Sequence, residues 1–193
     1  MNTKKAILVV AVNLYSVFSE ILFKLYKRYQ LKNPLVTIAS YKLFRKQMKL
    51  LNYKIPFNII NKNFSYKDLK INKINLINID FDFSKPFVEI SDNSNSYNKK
   101  CFELALNLIK KKSFLGFING PISKKNFLKK KFLGITEYLA KKTNTKNYAM
   151  LIYNKNLSVS PVTTHIPLKK ISTSITKRKI VSNTILIKKF YKN

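Results

Sequence analysis

The segment Pro34-Leu35-Val36-Thr37-Ile38-Ala39-Ser40-Tyr41-Lys42-Leu43-Phe44 runs from a short apolar stretch into one with helical spacing. Leu35 to Ala39 reads as a buried strand entered after Pro34, and Tyr41 to Leu51 as the helix that follows. The same order appears one step upstream. Ala6 to Val12 is a continuous apolar run, and Val17, Ile21, Leu22 and Leu25 then recur at helical steps between Ser16 and Tyr29. Glu20 near the start of that helix and Lys24, Lys27 and Arg28 toward its end suit the helix dipole. Downstream, Tyr97 to Lys111 reads as a helix with Cys101, Leu104, Ala105 and Leu108 on one face, and Phe114 to Ile118 as a strand running into Asn119-Gly120-Pro121. Strands alternating with helices predict an α/β fold, a mostly parallel sheet with flanking helices.

The remaining segments fit around this frame. Ile55 to Ile60 contains Pro56, which cannot donate to a ladder, so it is expected as an edge strand or extended segment. Asn61 to Asn98 is rich in Asn, Lys, Asp and Ser and reads as connecting strands and loops, with apolar clusters at Ile74 to Ile79 and Pro86 to Ile90. Helical material is expected from Lys124, then a turn at Gly134 with Thr136 as helix cap, strands at Ala149 to Tyr153 and Leu157 to Val162, and a final helix over Thr176 to Tyr191. A single α/β region over 1–193 results, with an approximate subdivision into 1–118 and 119–193. In a chain with 3 glycines, Gly120 and Gly134 at turns suggest backbone conformations that other residues resist.

Composition excludes a disordered chain: 193 residues with 46% hydrophobic and 13% aromatic content supply enough apolar material for a packed core. A net charge of +30, from 38 Lys+Arg against 8 Asp+Glu, raises nucleic acid as a partner. The basic residues are spread over nearly every segment, however, and the aromatic residues sit inside apolar runs. Abundant Lys, Asn, Ile, Phe and Tyr beside 3 Gly and 0 Trp is what AT-rich codons produce, and nucleic acid is the lesser reading. Lys4-Lys5 before Ala6 to Val12 has the charge order of a secretory signal, but Asn13, Glu20 and Lys24 interrupt it. No stretch approaches the ~20 apolar residues of a spanning helix, so no membrane partner is expected. Cys101, the single cysteine, forms no intrachain disulfide, which suits a buried inert thiol and a cytoplasmic location.

Three clusters carry the functional signal: Asn119-Gly120-Pro121 with Lys124, then Gly134-Ile135-Thr136-Glu137, then Thr163-Thr164-His165-Ile166-Pro167-Leu168. In order, spacing and surrounding pattern they resemble the 4-hydroxythreonine-4-phosphate dehydrogenase family of pyridoxal phosphate biosynthesis. The resemblance spans most of this chain but only the first part of the family's sequence. It implies a fold similar to that of isopropylmalate and isocitrate dehydrogenases, a homodimer, NAD and a divalent metal ion as cofactors, and a small phosphorylated substrate whose alcohol is oxidised before loss of a carboxylate. On the matching positions, Thr136 becomes a substrate contact and His165 a metal ligand, with Lys124 and Glu137 as further candidates near the crevice.

The chain also departs from the family. The glycine-rich Gly-Asp-Pro-Ala-Gly-Ile-Gly-Pro-Glu appears as Val12-Asn13-Leu14-Tyr15-Ser16-Val17-Phe18-Ser19-Glu20, which keeps only the glutamate, and Ile135 stands where the family has a substrate-contacting histidine. The family's other metal-binding histidines have no counterpart, and with 1 histidine in the chain a three-histidine site cannot be assembled within it. Little or no turnover by the chain alone is therefore expected. The alternatives are a non-catalytic basic remnant that holds nucleic acid, and half of a split dehydrogenase completed by another chain.

Overall fold

The computed structural model describes residues 5–89, 91–111, 114–129 and 131–192. It divides into two compact units, one running through Phe127 and the other from Leu128. The first contains β1 (Ala6–Val10), α1 (Phe18–Arg28), β2 (Leu35–Ala39), α2 (Tyr41–Leu50), β3 (Phe57–Ile59), β4 (Ile74–Asn78), α3 (Asn95–Lys110) and β5 (Phe114–Asn119). The strands form one sheet in the order β3-β4-β2-β1-β5, and every neighbouring pair is parallel. The expected α/β architecture is the observed one, and the segment around Pro56 supplies the edge strand β3. No described helix is long and apolar enough to cross a membrane.

A parallel sheet needs cover on both faces, so its inner strands read as unbroken apolar runs. All five residues of β2 are buried, as are four of the five in β1. The helix α3 packs on β1, β2 and β5, while α1 and α2 pack on each other. Phe23 and Phe44 join that helix pair edge to face, with ring centroids 5.6 Å apart, and Phe23 also meets Tyr53 at 5.8 Å. Such ring pairs contribute roughly 0.5–1.5 kcal/mol beyond their burial. The Lys24–Glu20 ion pair on α1 is 2.6 Å long but lies at the surface, where its contribution is small.

Two buried amides tie segments together. Asn75 in β4 donates to the carbonyls of Leu35 and Lys70, each at 2.9 Å, and accepts from the Lys70 N–H at 2.7 Å and from Asn58 Nδ2 at 2.8 Å. Gln47 of α2 donates from Nε2 to the Leu14 carbonyl at 2.7 Å and the Pro86 carbonyl at 2.9 Å. The Pro86 carbonyl is thus committed to a side chain, and the cluster expected from Pro86 to Ile90 forms no strand over 86–89, Ile90 lying outside the described residues. The helical material expected from Lys124 is a single wide turn of π type, Lys124–Leu128.

The turns at the strand ends are built differently from expectation. No described glycine has a positive φ. Asn13 takes the left-handed conformation after β1, at φ 51°, and is held there by Asn98, whose Oδ1 accepts from the Asn13 N–H at 3.1 Å. Gly120 extends the β5–β1 ladder by donating to the Val10 carbonyl at 3.0 Å. Its requirement is spatial: a Cβ there would lie 2.9 Å from Cγ of Phe18. The ring at the start of α1 covers the turn after β5.

Cys101 is fully buried on the inner face of α3 with Tyr97 as hydrogen-bond partner, and burial pushes its thiol up to about 12.

The Gly120→Ala chain should lose about 1–3 kcal/mol of stability in urea unfolding, the usual range for overpacking. In a Phe18→Ala background the same substitution should cost markedly less, and an equal cost in both backgrounds would place the constraint in the backbone instead of the ring. Cys101 should remain unmodified by a disulfide reagent in the native chain at about pH 8 and react once the chain is unfolded. Because its folded value lies above the ordinary 9.0, its contribution to stability is complete below that pH and is lost as pH rises toward about 12.

Candidate functional site

The second unit holds α4 (Ile135–Lys142), α5 (Ile171–Ser174) and α6 (Lys177–Lys192). The residue at the N-cap of α4 is Gly134, not Thr136, which is already the second helical residue. Gly134 is extended, with φ at −162°, a conformation open to any residue. Its lack of a side chain makes room for Glu137, because a Cβ at Gly134 would sit 3.0 Å from the Glu137 Oε2. The Glu137 carboxylate, in the first turn of α4, suits the positive end of the helix. Its Oε1 accepts a hydrogen bond from the Thr164 hydroxyl at 3.1 Å. Its Oε2 is buried without a hydrogen-bond partner among the described residues.

These groups border a cavity of about 420 Å³ whose lining includes Thr136, Glu137, Thr163, Thr164, Lys179 and Asn183. Two of the residues expected from the sequence, Thr136 and Glu137, therefore come together, and the Thr163-Thr164 pair joins them. His165 does not line the cavity, although its neighbours Thr164 and Ile166 do. It is exposed and takes a left-handed backbone at φ 53°. Lys124 belongs to the first unit, at the start of the π-type turn.

The strands expected at Ala149 to Tyr153 and Leu157 to Val162 reduce to one antiparallel bridge between Ile152 and Val159. Its two backbone hydrogen bonds measure 2.8 and 3.0 Å. Exposure explains the failure of the pattern. Leu157 is 74% exposed and Ile152 61%, so no buried apolar face holds a longer ladder in register. His165 consequently follows a loop and not a strand.

The residues present do not fit a complete metal centre. Among the described residues no group of three or more His, Cys, Asp and Glu could hold an ion. A lone exposed imidazole is at most one ligand of a set that other residues would have to finish.

Sequence reasoning missed Lys179 and Asn183 as cavity residues. Their signal was present: with Ser182 they fall on one face of α6 at helical spacing, and all three border the same cavity.

Comparison with known proteins agrees with the fold. The model of the family described as pyridoxal phosphate biosynthetic protein PdxA matches residues 30–193. A 4-hydroxythreonine-4-phosphate dehydrogenase from Sulfurihydrogenibium sp. is 33% identical over 177 residues, covering 90% of this chain and 54% of the relative. The Aquifex aeolicus protein of the same name is 29% identical over 174 residues, 88% of this chain and 52% of its own. This chain spans about half the length of these relatives. The solved structure of the Klebsiella pneumoniae enzyme of that name superposes with a TM-score of 0.80 at 22% identity, covering 100% of this chain and 60% of its own. That from Burkholderia phymatum gives 0.74 at 20% identity, covering 96% and 59%. With the family pattern running from residue 30 to the last residue of the sequence, the chain belongs to the PdxA family of pyridoxal phosphate biosynthetic proteins.

Proposed function

We propose that this chain takes part in the oxidation of 4-hydroxythreonine 4-phosphate by NAD, the reaction for which its relatives are named, and that it supplies the substrate-contacting part of the site and not the whole of it. The observation that carries this reading is the cavity in which Thr136, Glu137 and Thr164 meet, with one carboxylate oxygen held and the other unpartnered. A buried oxygen without a partner is costly, and a bound donor would satisfy it. The substrate offers two kinds of donor, an ammonium and a hydroxyl group, either of which Glu137 Oε2 can accept.

Thr136 supplies a neutral hydroxyl to the same cavity, and Lys146 and Lys179 are cations in its lining for a phosphate group. Lys124 remains a further candidate carried by the first unit. NAD, when bound, would accept the hydride of the alcohol carbon while a base takes the hydroxyl proton, and the resulting keto acid would lose its carboxylate as carbon dioxide and take up a proton at that carbon, leaving an amino ketone phosphate. His165 would be one ligand of the divalent ion that the family resemblance implies, and completing that site takes ligands beyond the described residues. A cytoplasmic site of action suits the reaction, since NAD is supplied there.

Purified chain mixed with NAD, 4-hydroxythreonine 4-phosphate and magnesium or zinc should form NADH no faster than the mixture without protein. The substrate should nevertheless bind in calorimetry, and Glu137→Gln should weaken that binding roughly three- to tenfold, the range for one hydrogen bond to a charged group. Sustained turnover by the chain alone would overturn the incomplete-site reading, and a chain that binds no substrate would overturn the assignment of the cavity.

A further inference from the structure

Three cavities of the first unit run into one another. One of about 450 Å³ opens at the last turn of α1, where Tyr26, Lys27, Arg28 and Tyr29 line it. The next, about 320 Å³, shares Tyr26, Lys27 and Asn72 with it and adds Tyr53 and Lys54 from the loop after α2. The third, about 420 Å³, shares Lys54, Ile55 and Pro56 with the second and reaches Tyr41 and Arg45 of α2 and Phe57 of the edge strand β3. Together they make one trough, and none of its lining residues borders the cavity of Glu137.

Basic residues are spread over the whole chain, so cations alone select nothing. The trough is set apart by what accompanies them. More than one lining residue in four is aromatic, against 13% of the chain, and among the described residues that line it none is acidic. Tyr29, just past α1, is 65% exposed. The Lys27 ammonium lies 5.7 Å from the centre of the Tyr53 ring, so charge and ring already stand side by side. Among the described residues, Lys27, Arg28, Arg45 and Lys54 take part in no ion pair. The Tyr26 hydroxyl, in the wall common to two of the cavities, is buried without a hydrogen-bond partner among the described residues.

We propose that this trough holds single-stranded nucleic acid, with phosphates met by Lys27, Arg28, Arg45 and Lys54 and bases by the rings between them. Cations distributed along three linked cavities suit a row of phosphates better than one phosphate, and rings interleaved with them suit unpaired bases. An acidic peptide would use the cations and leave the rings idle, and a duplex keeps its base faces stacked inside. The inference is independent of the catalytic reading, since the two cavities share no residue.

Fluorescence anisotropy of a labelled thymidine strand of about ten nucleotides, titrated with the full chain, tests it. At about 0.15 M salt a Kd of about 10 μM or tighter is expected. Tyr29→Ala should weaken binding at least about fivefold, the lower bound for one lost stacking contact. Arg28→Gln with Lys54→Gln should reduce the slope of log affinity against log salt by about 1.4, the share of two phosphates on a single strand. Lys155→Gln with Lys169→Gln removes the same charge from exposed positions of the second unit and should change neither quantity. All five side chains are exposed, so circular dichroism should show the fold unchanged. Equal effects of the two double variants would reduce the binding to dispersed charge and overturn the proposal. No binding at that salt, an unaltered affinity in Tyr29→Ala, or equal affinity for a duplex of the same length or for polyglutamate would overturn it as well.

Discussion

Water must be kept from both faces of a parallel sheet, and the first unit is organised by that requirement. Strands β1 and β2 at its centre tolerate little besides apolar side chains. The Thr37 hydroxyl within β2 has no partner among the described residues, but some other buried polar residues meet their hydrogen bonds. Asn75 does so by giving and taking bonds with Leu35, Lys70 and Asn58, which fixes β4 between β2 and β3. Gln47 donates from Nε2 to the loop carbonyls of Leu14 and Pro86, while its Oε1 has no partner among the described residues. The second unit lacks such a layer. Its hairpin stops at one bridge, and none of the residues of its longest helix is buried.

The same constraint gives the glycines their meaning. The left-handed positions belong to Asn13, Asn52, Lys129, Asn144 and His165, and three of these five are asparagine, the non-glycine residue that pays least there. A chain poor in glycine thus turns on asparagine. At two of the three glycines a side chain elsewhere claims the space, the Phe18 ring over Gly120 and the Glu137 carboxylate beside Gly134, while Gly116 has none within 4 Å. Tyr15 and Tyr97 meet Phe81 at 6.0 and 5.2 Å, so aromatic rings occupy the ground beyond β1.

How much of this could be read in advance follows from range. Leu35 to Ala39 was legible because an unbroken apolar run between polar flanks has few uses besides a buried strand, whereas Phe114 onward forms the expected strand at a sheet edge with only Phe114 buried. Pro56 announced an edge for a local reason, its missing N–H. Leu157 to Val162 misled because alternation shows only that a strand could have two faces. Whether one forms depends on a neighbour and on burial, neither of which is local. In the site, Thr136 and Glu137 were visible through the family pattern, while Gly134 as cap and Lys179 as wall depend on where α4 and α6 come to lie.

The helix α6 joins the two features of the second unit that lack a partner. Lys179 and Asn183 lie on one side of it and line the cavity that Glu137 also lines. Val181 and Ile185 lie on the other side and face solvent. The carboxylate can be held with one oxygen unmet because Thr164 anchors the other and Gly134 leaves room for the first. The cavity has two lysines in its lining, Lys179 carried by α6 and Lys146 by the segment after α4, so its positive charge comes from two separate stretches of the unit.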